Sequence, residues 1–402
     1  MRRLAAALTA FLVAGFAAQP ASGYALNLLV PDLRLPASVA GASACPVAVH
    51  QLTGAGSIAI QWSTVLGANP QTILTLDPSA SGRLNEVEQT IAQSLAVWSQ
   101  VAGSRLAPGS FAGIARAAAA NLCGADGFNS ICFDENDAAF TPGVLAFTRV
   151  FAADHIGAQV GGQTASEVGQ ILDADIYFNP SDPRVQFATP QALANAPSAY
   201  DLESLLTHEL GHFLGFSHSA VWSAMMYPFA PAPGTITGAR PTAQSPDAPL
   251  SEDDRSGLRV LYPDPADTVH AGTITGRILP ANPLSLPAAP GGVTGVFAAH
   301  VVALDAASGA VVAGVLGGWS CSAAGPVQFD GTFRLDRLAV GPSQAYKIYA
   351  EPLDGAVDPS RMSNAIVTLC RNLTTDAGWP ATAACVVPPV DTSFTTRIRT
   401  SP

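Results

Sequence analysis

The chain has 402 residues, 48% of them apolar and 12% charged, with 36 glycines, 32 prolines and a net charge of −11. That length can hold two domains, and the composition suits a globular protein with many turns. The negative charge argues against nucleic acid or an anionic membrane as partner, and the presence of a single lysine, Lys347, suggests a bacterial chain from a GC-rich genome.

In chain order, Arg2 and Arg3, the apolar run Leu4 to Ala18 and the small residues Ala21-Ser22-Gly23 read as a secretory signal over residues 1–23. A secreted or extracytoplasmic protein is therefore expected, with no membrane contact after signal cleavage, since no later stretch is long and apolar enough to span a bilayer. The alternative is an uncleaved anchor. Residues 24–47 form an N-terminal segment with little periodicity. Export makes disulfides the expected state of the six cysteines. Of the fifteen possible pairings, Cys123 with Cys132, across a Gly/Asp/Asn-rich step, and Cys370 with Cys385 are expected. Cys45 and Cys321 are left either to bridge the two halves or to stay free.

Ile58 to Trp62 predicts a strand and Thr72 to Leu76 another extended piece. Over residues 83–102, Leu84, Val87, Ile91, Leu95 and Trp98 recur at three- and four-residue steps, which predicts a helix with one buried face. Ser130 to Phe133, Gly143 to Phe151 and Ile171 to Asn179 predict three further strands, the second of them at a sheet edge. Asp134-Glu135-Asn136-Asp137 and the group Asp173, Asp175, Asn179 offer hard oxygen ligands. Calcium is a candidate there, with solvated loop carboxylates as the alternative.

The most informative stretch is His208-Glu209-Leu210-Gly211-His212-Phe213-Leu214-Gly215-Phe216-Ser217-His218. Histidines four apart share one helix face, so His208 and His212 can reach one metal ion. Gly215 can take a positive φ, end the helix and turn the chain so that His218 becomes a third ligand. Three protein ligands with one open position describe a catalytic zinc site. Glu209 stands where its carboxylate reaches a metal-bound water rather than the metal. Asp201 predicts the N-cap of this helix, which spans residues 200–214. Ser223-Ala224-Met225-Met226-Tyr227-Pro228 follows, then a Pro/Ala/Gly loop to Pro249. Residues 250–263 predict a last helix, capped by Ser251 with Asp254 three residues on.

Beyond the linker 264–268 the pattern changes. Short alternating runs near 273–278, 299–303, 311–315, 331–335 and 346–349, separated by Gly/Pro turns, predict a β-sandwich over 269–402. It carries no catalytic constellation; His270 and His300 are isolated.

The zinc motif, Ala224-Met225-Met226-Tyr227-Pro228 and the run Leu250-Ser251-Glu252-Asp253-Asp254 through Leu261-Tyr262-Pro263 resemble the matrixins, a branch of the metzincins, and their bacterial secreted relatives, over residues 48–263. The last region resembles, more weakly, transthyretin-like regulatory domains. The resemblance implies an α+β metzincin fold, with a mixed twisted sheet and three main helices, followed by an all-β sandwich. It also implies a zinc endopeptidase in which His208, His212 and His218 hold one zinc, Glu209 is the general base and Met226 lies beneath the metal. Tyr227 and Pro228 would line the substrate pocket, and Val144, Leu145 and Ala146 would belong to the edge strand that receives an extended peptide. Phe147 and Tyr177 stand where the animal relatives place histidines of a second zinc, so one zinc and a monomer acting on peptide or protein substrates are expected. The competing expectation is a secreted binding or adhesion protein that works through its β-sandwich and keeps the metal domain as scaffold.

Overall fold

The apolar stripe of the first predicted helix is satisfied in helix α1 (Ser81–Ser99), which buries Val87, Ile91, Leu95 and Trp98. The computed structural model of the protein describes residues 7–9, 26–29, 31, 45–51, 58–66, 81–107, 110–117, 122–133, 140, 143–179, 186–235, 249–282, 293–321, 327–353, 388 and 390. Strands β1 (Ala7–Thr9), β2 (Ile58–Leu66), β3 (Phe111–Ala117), β4 (Ser130–Phe133), β5 (Ala146–Ala152) and β6 (Ile171–Phe178) form one mixed sheet in the order β1-β5-β6-β4-β2-β3. β2 runs parallel to β3 and β4, β4 runs parallel to β6, and β5 is antiparallel to β6.

The sequence places β5 at the sheet edge. In the structure Ala7–Thr9 pairs antiparallel along its outer side, so β5 has a neighbour on each flank. The strand also begins later than expected. Ala146 lies on it, whereas Val144 and Leu145 precede it and offer their carbonyls to Asn179, which donates from Nδ2 and from its backbone N–H respectively. The piece expected at Thr72 to Leu76 lies outside the described residues.

Helix α2 (Leu202–Leu214) packs on α1 and on β5. Trp98 fixes the helix pair: its indole N–H donates to Thr207 O at 2.9 Å and its ring lies 5.1 Å from that of Phe216. Helix α3 (Glu252–Leu261) has the expected capping box between Ser251 and Asp254. The N-terminal segment is part of this body. Leu26, Leu28 and Leu29 are buried, and Leu28–Leu29 pairs with Val47–Ala48.

The C-terminal region has β7 (Gly272–Arg277), β8 (His300–Asp305), β9 (Val311–Leu316), β10 (Thr332–Leu338) and β11 (Tyr346–Glu351). They form a two-stranded sheet, β7-β10, and a three-stranded sheet, β9-β8-β11. One apolar cluster runs through both regions, with Leu258 and Leu261 of α3 in the same cluster as Val315 and Leu335. Cys45 is bonded to Cys321 across 276 residues, which resolves the bridging alternative, and Cys123 is bonded to Cys132. Closing so long a loop lowers the entropy of the unfolded chain by an amount worth on the order of 5 kcal/mol. Cys370 and Cys385 lie outside the described residues. No helix among the described residues is long and apolar enough to cross a membrane.

Two of the candidate calcium carboxylates are engaged by backbone donors. Asp173 accepts from the backbone N–H of Asp126 and Gly127, and Asp175 from those of Gly124 and Ser130, so the pair anchors the loop closed by Cys123–Cys132. Asp134 to Asp137 lie outside the described residues. Burial pushes Asp173 up to about 7; burial, with Asp173 beside it, pushes Asp175 up to about 9. A raised pKa in the folded state favours the protonated fold. Its contribution is therefore complete below the unfolded value near 3.8 and is lost as pH rises through the folded values. Asp175→Asn should flatten the fall in melting temperature between about pH 5 and pH 9 relative to the parent. Thermal unfolding across that window tests this, and parallel curves would refute it.

Candidate metal centre

Helix α2 begins at Asp201, whose carboxylate accepts from the backbone N–H of Glu203 and Ser204, each at 3.2 Å. It ends at Gly215 with φ 112°. A Cβ on Gly215 would lie 2.2 Å from Val49 O, so both the conformation and the space require glycine. The chain then folds back: Phe216 N donates to Gly211 O, and Asn27 clamps the turn from outside, donating from N to Gly215 O and from Nδ2 to Phe216 O.

This turn brings the three histidines together as their spacing implied. One ring nitrogen from each of His208, His212 and His218 lies within 4.8 Å of the other two. His208 Nδ1 is 2.8 Å from Met225 O, and His212 Nδ1 is 2.9 Å from Phe216 O. A carbonyl only accepts, so each Nδ1 carries the proton and each Nε2 offers its lone pair. Burial, with His218 alongside, pushes His212 down to about 3, which keeps it neutral. Its Nε2 stands 3.3 Å from His218 Nε2. Two nitrogens bound tetrahedrally to one ion at about 2.05 Å would be about 3.3 Å apart. The donor set therefore fits zinc in identity, His208 and His212 fit it in tautomer, and the His212–His218 pair fits it in spacing.

Glu209, on the same helix, is buried. Thr148 Oγ1 of β5 donates to its Oε2 at 2.7 Å. Burial pushes Glu209 up to about 8, against the lowering effect of that hydrogen bond. A dication beside it would draw the value back down. Met226 lies under the helix, where a Cβ on Gly211 would meet its Sδ at 2.2 Å and Trp98 at 3.0 Å. The ring of Tyr227 stands 5.0 Å from that of Trp222 and 5.7 Å from that of Phe229, a short aromatic row that includes the strongly exposed Trp222. Pro228 is half-buried beside it. Phe147 and Tyr177 stack at 4.6 Å, with the Arg149 guanidinium 4.9 Å from the Tyr177 ring.

Two contributors were not singled out in the sequence, and a third was read only as part of a cap. Gly211 carried a signal, because glycine inside a helix costs about 1 kcal/mol relative to alanine and so calls for a packing reason. Thr148 carried none, being 61 residues from Glu209. Asp254 was recognised only as a cap, yet its carboxylate also accepts from Met225 N at 2.7 Å and Met226 N at 3.1 Å, which holds the methionine turn under the histidines.

Residues 161–263 match the family model described as Matrixin. The matched segment contains the three histidines, Glu209, the methionine turn and α3. Among curated proteins the chain is similar to Metalloendoproteinase 1-MMP of Arabidopsis thaliana, 38% identical over 95 residues, which are 21% of this chain and 23% of that protein. It is also similar to Metalloendoproteinase 1 of Glycine max, 34% identical over 93 residues, 21% of this chain and 27% of that protein. Metalloendoproteinase 2-MMP of Arabidopsis thaliana is 40% identical over 65 residues, 16% and 14% of the two chains. The chain thus spans about a quarter of the length of the first two relatives.

Proposed function

We propose that the protein is a secreted zinc-dependent endopeptidase of the matrixin type. The observation that carries this reading is the convergence of His212 Nε2 and His218 Nε2 at 3.3 Å, with His208 in the same cluster and Glu209 adjacent on the helix. His208, His212 and His218 would hold the ion. Zinc in such a site polarises a carbonyl and makes water acidic enough to be deprotonated near neutrality. Glu209 is the general base: its carboxylate takes a proton from the attacking water and passes it to the departing amine. Thr148 fixes the orientation of that carboxylate through Oε2. Removal of residues 1–23 would free the flank of β5 that Ala7–Thr9 occupies, where an extended peptide substrate would pair antiparallel. Tyr227 and Pro228 would wall the pocket for the residue beyond the cleaved bond. Secretion through residues 1–23 agrees with the two disulfides, and the two C-terminal sheets agree with a β-sandwich that plays no chemical part.

The full chain should bind one zinc and cleave unfolded casein. A chelator should abolish cleavage, and added zinc should restore it. Elemental analysis with a cleavage assay tests this; absence of zinc, or cleavage indifferent to the chelator, would overturn the reading.

A further inference from the structure

The loop that delivers His218 is also held from α3, through the carboxylate of Asp253. Ser219, the residue after His218, donates its hydroxyl to Asp253 Oδ2 at 2.7 Å. The same Oγ accepts from Val221 N at 3.1 Å, and Ser219 N donates to Met226 O at 2.8 Å, so Ser219 organises the whole step from ligand to methionine turn. The other oxygen, Asp253 Oδ1, accepts from the backbone N–H of Gly314 at 2.7 Å. Gly314 lies on β9, an edge strand of the C-terminal three-stranded sheet, and an outward-facing edge N–H that is buried needs an acceptor. Asp253 is 1% exposed and Ser219 3%. The contact is close-packed as well as polar: a Cβ on Gly314 would meet Val221 Cγ2 at 2.7 Å and His300 Nε2 at 2.5 Å.

We infer that Asp253 is a positioning residue for the metal centre, and that the C-terminal region braces the His218 loop through Gly314, Asp253 and Ser219. The inference rests on the proposed reading of His218 as a ligand. The C-terminal region thereby gains a role in holding the ligand set together. A ligand free to swing out would leave a two-histidine site, from which metal escapes faster.

The test uses the full chain. Asp253→Ala deletes both hydrogen bonds. Asp253→Asn keeps the Gly314 bond through its carbonyl and reverses the other, its amide donating to Ser219 Oγ. Amide hydrogen exchange in metal-free protein should be faster by about tenfold or more over residues 219–226 in Asp253→Ala, with α1 amides unchanged. Zinc release to a chelator should also be faster by about tenfold, and Asp253→Asn should stay within about twofold of the parent on both counts. Ser219→Ala, the milder cut, serves if Asp253→Ala does not fold, and should show the same pattern in the loop. A folded variant lacking both bonds, with parent-like loop exchange and parent-like zinc release, would overturn the inference. So would Asp253→Asn behaving like Asp253→Ala. If the parent takes up no zinc, the endopeptidase reading fails, and the loop exchange alone decides whether Asp253 is the brace.

Discussion

Glu209→Gln should retain one zinc per chain and lose peptide hydrolysis by about 10³-fold or more, within the range that general acid–base groups supply. The substitution isolates the chemistry. Glutamine has the same shape and keeps an acceptor for the Thr148 hydroxyl, and none of the three ring nitrogens is touched. In the metal-free protein, where burial disfavours the charge of Glu209, removing it should leave the melting temperature at or slightly above that of the parent. The loss should fall on kcat with KM little changed, because the carboxylate handles a proton rather than the substrate backbone. Steady-state kinetics, zinc content and thermal unfolding on one preparation check all three points. Retention of more than about a tenth of the parent kcat would remove Glu209 from the role of base.

Asp254→Ala should be the most destabilising single change in this region. The carboxylate accepts from Met225 N, Met226 N, Ser251 N and Ser251 Oγ, all buried. Truncation strands three backbone N–H groups without water, at about 1–3 kcal/mol each and with incomplete additivity, so a net loss of about 4 kcal/mol is expected. For a body of this size that lowers the melting temperature by about 10 °C. The effect should reach the metal as well. Met225 O orients His208 through Nδ1, and Met226 fills the space that Gly211 leaves. Zinc affinity should therefore fall alongside stability. A melting temperature within about 2 °C of the parent would show that the methionine turn holds its place without Asp254.

The legible part of the site was the part written in short spacings. Histidines four apart, a glycine three residues on and a third histidine after it encode a helix, a left-handed stop and a return, all local geometry. The capping box and the α1 stripe are of the same kind, and Ser251, Asp254, Val87 and Trp98 stand where those patterns place them. Ser130 to Phe133 and Ile171 to Asn179 were legible as strands, and every residue of the two observed strands is buried, as in a sheet covered on both faces. Their pairing order was not, since nothing in a strand names its neighbour.

The sequence by itself determined the shared face of His208 and His212, the place of Glu209 beside it and the turn that brings His218 to them, because each depends on contacts within about a dozen residues. Only the tertiary structure decided that Cys45 meets Cys321, that Thr148 reaches Glu209, that Asp173 and Asp175 anchor a loop, and that Asp253 joins the His218 loop to Gly314. These pairs are separated by 34 to 276 residues. A carboxylate or a thiol has the same local pattern whatever it meets across such a distance. Its partner is chosen by the packing of whole elements, which satisfies buried donors only where α3, β9 and the methionine turn come together.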